Sequence, residues 1–60
     1  MITREQYRDS VELQLSRYEE EINDLGEMVF NGWVRHEQVA QQIRFLNERA
    51  RNCRYLLIVS

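Results

Sequence analysis

From Val11 onward, the first half of the chain sets apolar residues at Val11, Leu15, Tyr18, Ile22, Leu25 and Val29, in steps of four, three, four, three and four. Polar residues fill most of the positions between them. This 4-3 alternation is the heptad seam of an α-helix that packs along a single stripe. The second half repeats it at Val39, Ile43, Leu46, Ala50, Cys53 and Leu57 with the same steps. Two stripes of equal length on either side of a turn predict an antiparallel two-helix hairpin.

The limits of the two helices follow from local chemistry. Thr3 followed by Gln6 fits a capping box, and Ile2 with Tyr7 occupies the positions of a hydrophobic staple, so the first helix starts near residue 4. Asn31-Gly32 is the strongest turn signal, because both residues tolerate the left-handed backbone that ends a helix. Gly32 is therefore expected to close a first helix over about residues 4-31. Gly26 is the competing stop, but Val29 carries the seam beyond it. The second helix is expected over about residues 35-57. Folding about Gly32 would set Leu25 beside Val39, Ile22 beside Ile43, Tyr18 beside Leu46, Leu15 beside Ala50 and Val11 beside Cys53. The β-branched and aromatic run Tyr55-Leu56-Leu57-Ile58-Val59 leaves a short terminal strand as the alternative to helix.

The fold class is thus all-α, one helical-hairpin domain spanning residues 1-60, and its size bears on its stability. A chain of 60 residues sits at the edge of independent folding unless something staples it. One cysteine excludes an internal disulfide, and one histidine leaves no ligand set for a structural metal, so no metal and no cofactor is implied. Association is the device that remains. Leu13, Phe45, Leu56 and Val59 lie outside the seams, as do Met28 and Phe30, and a lone hairpin would leave them wet. These residues predict self-association, with a homodimeric four-helix bundle as the simplest way to cover them.

Charge sharpens the hairpin reading. All eight basic residues are arginine, and the net charge is −2. Residues 1-32 carry net −5 and residues 33-60 net +3. Opposed halves attract when the chain folds back, although each exposed pair is worth under about 1 kcal/mol. The run Glu19-Glu20-Glu21, with Asp24 and Glu27, gives the first helix an acidic flank that is either solvated or a docking surface for a basic partner.

Motifs of catalysis are missing from the sequence. It has no glycine-rich phosphate loop, no G-x-S-x-G turn and no H-E-x-x-H; His36-Glu37 lacks the second histidine. The chain is expected not to be an enzyme. The leading expectation is a small regulatory or inhibitory protein, of the kind encoded by phages and mobile elements, that contacts a larger protein target. Its candidate contact is the turn, with Phe30, Trp33, Val34 and Arg35, since an exposed tryptophan is a frequent interface anchor. Trp33 can instead fold over Val29 and His36 as a cap on the bundle end.

A rival reading rests on Arg44, Asn47, Arg51 and Arg54, whose spacing forms one stripe that could meet nucleic acid or an acidic protein. The acidic balance opposes general DNA affinity. A structural component of a larger assembly is the third reading. Cys53 on the seam reads as a small buried hydrophobe, with a reactive thiol as the alternative. The chain shows no leader and no apolar run long enough to span a bilayer, so the cytoplasm is the expected location and no membrane partner is expected.

Overall fold

In the computed structural model, which describes residues 1-59, two helices account for nearly the whole chain. Helix α1 spans Arg4–Phe30 and helix α2 spans His36–Val59, and they pack against each other as a hairpin. Each end of α1 is satisfied by residues the sequence supplies locally. The Gln6 backbone N–H donates to Thr3 Oγ1 at 3.1 Å, and the Thr3 N–H donates to Gln6 Oε1 at 3.0 Å, completing the capping box. Two donors that would otherwise point into water are thereby paired. Glu5 in the first turn adds a carboxylate at the positive end of the helix.

The turn is a Schellman motif. Gly32 takes φ +76°, its N–H donates to the Val29 carbonyl at 3.0 Å, and the Trp33 N–H donates to the Met28 carbonyl at 3.0 Å. Gly26 is helical, so the helix passes through it and stops at the second glycine. Helix α2 begins with only half a capping box. The Gln38 side chain accepts from the Arg35 N–H at 2.9 Å, but Arg35 has no acceptor with which to reciprocate.

At its far end α2 runs through Val59, two residues beyond the expected stop at Leu57, and Tyr55–Val59 is helical. The strand alternative fails for a physical reason. A strand needs an edge to pair with, and no strand exists among the described residues. Continuing the helix instead keeps Leu57 on the seam, where it is half-buried.

The core is one seam deep. Val11, Val39, Leu46, Ala50 and Cys53 are buried, while Leu15, Tyr18, Ile22, Leu25 and Val29 remain half-exposed. Four of the five buried residues belong to α2, and size explains the asymmetry. Three of these four, Val39, Ala50 and Cys53, are small side chains that stand close to the helix backbone, and the fourth is Leu46. Ala50, 1% exposed, is the most deeply covered.

Two cross-helix proximities report the pairing along the seam. Leu25 shares one groove with Gln42, Phe45 and Leu46, and Glu19 reaches Arg54. The connection Asn31 to Arg35 centres the fold-back on Trp33 rather than Gly32. Together these fit a register one seam step further along α2 than a fold about Gly32 implies. Leu25 then stands level with Ile43, Ile22 with Leu46, Tyr18 with Ala50 and Leu15 with Cys53. The step also gives Val29 and Leu57, left over in the other register, the counterparts Val39 and Val11.

The hairpin measures 45 × 16 × 14 Å, with a radius of gyration of 14.1 Å, against about 10 Å for a compact chain of this length. Its accessible surface is 5358 Å², where a compact monomer of 7.3 kDa exposes about 4,200 Å². About half of the unfolded chain's surface is buried, short of the roughly 60% expected of a 60-residue domain. The hairpin is therefore under-buried.

The glycines give a direct check on the backbone. Nothing lies within 4 Å of a Cβ added at Gly26, so Gly26→Ala is expected to stabilise the helix by about 1 kcal/mol in urea denaturation. Gly32→Ala is expected to destabilise by about 1 kcal/mol, because alanine must adopt the left-handed conformation. Equal effects at the two sites would contradict the assigned helix end.

Candidate interaction surfaces

Three surfaces emerge from the packing of the two helices. The first is the turn. Phe30 is 89% exposed and Trp33 73% exposed, so the tryptophan does not fold over Val29 and His36. Arg35 is also exposed, whereas Val34 is half-buried. The Schellman motif produces this display: it fixes the backbone of residues 28 to 33 and leaves the two large aromatic side chains in water. All four candidates at the turn stand at the same end of the molecule.

The second surface is a flank. At 100° per residue, the side of α1 carrying Glu21 and Asp24 adjoins the side of α2 carrying Gln42, Phe45, Arg49 and Leu56. A groove of about 410 Å³ confirms this junction, with Glu21, Asp24, Leu25, Gln42, Phe45 and Leu46 as its walls. Phe45, Leu56 and Val59 are exposed along this flank. Leu13 is equally exposed but lies on the back of α1, opposite its seam, so it does not join them.

The guanidinium of Arg49 lies over the Phe45 ring at 4.9 Å from its centroid, a cation–π contact. Neither Arg49 nor the acidic walls follow from the apolar pattern alone. The signal for Arg49 was its place four residues after Phe45, where helical side chains meet.

The third surface is the opposite flank, which mixes charged and apolar residues: Ile58, 81% exposed, continues the row of Arg44 and Arg51. Arg44, Asn47 and Arg51 line a groove of about 370 Å³ with His36, Ala40, Ile43 and Glu48. The fourth member of the stripe is diverted: Arg54 Nη2 lies 3.2 Å from Glu19 Oε1 and bridges the two helices. Both partners are about half-exposed, so the bridge orients the helices more than it stabilises them. Glu48 places a carboxylate among the arginines that remain. A second ion pair, Arg8 to Glu12 at 3.5 Å, lies within α1.

Among the described residues, no group of three or more His, Cys, Asp or Glu side chains stands together to hold a metal ion. No described helix is long and apolar enough to cross a membrane. Comparison with family models, with curated proteins and with solved structures found no match to this chain. The surfaces themselves therefore carry the functional argument.

Cys53 is a free thiol, buried in the seam and 5% exposed. Its reaction with a water-soluble thiol reagent is expected to be slower by roughly a hundredfold or more in the folded chain than in denaturant, because the helices must separate first. A native rate equal to the denatured rate, under conditions where circular dichroism reports full helicity, would show that the seam does not close over it.

Proposed function

We propose that the chain is a non-enzymatic binding module: a small regulatory or inhibitory protein that works as a homodimeric four-helix bundle and contacts a larger protein through its turn. The observation that carries this reading is the exposure of Phe30 and Trp33 on a backbone held rigid by three hydrogen bonds. An aromatic side chain on a fixed backbone turns about only two torsions and so loses little conformational freedom on binding. Arg35 at the edge of the pair supplies a charge for orientation. The free thiol of Cys53 suits a reducing compartment such as the cytoplasm.

The nucleic-acid reading has weaker support. Its stripe is shortened to Arg44 and Arg51 by the Arg54 bridge, and Glu48 stands in the same groove. Two arginines beside a carboxylate form a small phosphate-binding footprint.

Affinity capture from lysate with the whole chain separates the two readings. The expected outcome is a protein retained by the wild type, lost with the Phe30→Ser/Trp33→Ala double variant, and still retained by Arg44→Gln/Arg51→Gln. The double variant is expected to keep its helicity, since both side chains already stand in water. Loss with the arginine variant alone, together with steep salt sensitivity, would transfer the function to nucleic acid or to an acidic partner.

A further inference from the structure

The flank that carries Phe45 has an order of charge that suits one occupant in particular. Passing along it from the turn toward the open end of the hairpin, the carboxylates Asp24 and Glu21 come first and the guanidinium groups of Arg49 and Arg17 follow, with Phe45 level with the acidic pair. This order follows from the helical phases and from the register that brings Glu21, Asp24 and Leu25 to Gln42, Phe45 and Leu46. A surface acidic at one end and basic at the other is complementary to itself when turned end for end. That is the requirement of a two-fold interface, where each patch meets the other patch of the same surface.

Area points the same way. Two separate hairpins expose twice 5358 Å², whereas a compact particle of twice the mass exposes about 6,900 Å². Reaching that compactness buries about 3,800 Å² in total, within the range of obligate homodimers. On the opposite flank, burial would take Arg44, Arg51 and Glu48 out of water around a single exposed apolar side chain, Ile58. The Phe45 flank offers apolar side chains in the middle and charges arranged to be met.

We propose that a second copy of this chain covers the Phe45 flank in an end-for-end two-fold arrangement, with Arg49 of each copy facing the carboxylates Asp24 and Glu21 of the other. The two Phe45 rings lie near the axis, over the Leu25 and Leu46 floor of the groove. Arg49, held over its own ring, is already extended along the flank, so little side-chain freedom is lost on pairing. Leu56, about 16 Å beyond Phe45 toward the open end at a rise of about 1.5 Å per residue, reaches the half-buried Met28 of the second copy. This inference rests on the dimeric reading above and adds to it the face, the orientation and the charge pairing.

Charge reversal tests it, because the symmetry makes a distinctive demand. In sedimentation equilibrium, Arg49→Glu alone and Glu21→Arg/Asp24→Arg alone are each expected to weaken self-association by about tenfold or more, since each homodimer contains two repulsive contacts. An equimolar mixture is expected to recover wild-type affinity as a mixed dimer, in which both contacts are again attractive. Recovery in the mixture also shows that neither variant had merely lost its fold. A wild-type dimer left equally tight by both reversals, or weakened variants that no mixing restores, would overturn this face while leaving the dimer in place. A wild-type chain that stays monomeric at every concentration would remove both.

Discussion

Two amphipathic helices share one seam, and a seam is a line of contact rather than an enclosed interior. Everything else in this molecule follows from that limit. Each helix covers only the face of the other that it touches, so Val11 and four residues of α2 are sheltered while the rest of both seams stays half-wet. A third and fourth helix would close the space, and the described residues form two. The elongated shape and the surplus of surface over a compact chain of equal mass express the same shortage of burial.

Within the limit, local interactions hold the hairpin in register. The capping box at Thr3 and the Schellman turn at Gly32 satisfy backbone groups that would otherwise oppose the fold. Neither supplies much burial. The Glu19 to Arg54 bridge adds orientation across one flank, and it draws Arg54 away from the arginine stripe. The opposite flank carries the Phe45 and Arg49 pair beside two carboxylates, so the ribbon has two unlike sides. That difference turns a general need for cover into a directed one.

Much of the fold was legible in the sequence because its signals are short in range. Thr3 with Gln6, Gly32, and the two 4-3 stripes each depend on residues within a turn or two of one another, and the structure follows them. What depended on distance was less legible. Tyr55 to Val59 carries β propensity, yet with no strand among the described residues to pair with, it extends the helix. The pairing register hinges on the connection Asn31 to Arg35, whose midpoint is Trp33, one residue past the glycine from which the turn was read. Leu13 is apolar like Phe45, but its helical phase sends it to the back of α1. Arg54 read as part of a basic stripe until the fold brought Glu19 to it. The turn aromatics were visible as residues, while their exposure was decided by the backbone hydrogen bonds around them.

Sedimentation and circular dichroism across a dilution series, measured on the same samples, test the dependence of this fold on association most directly. The account predicts that mass falls from dimer to monomer and that helicity falls with it, because burial in the dimer supplies what the single seam lacks. A monomer that keeps its full helicity at the lowest concentration, with a sharp thermal transition unchanged by dilution, would contradict it.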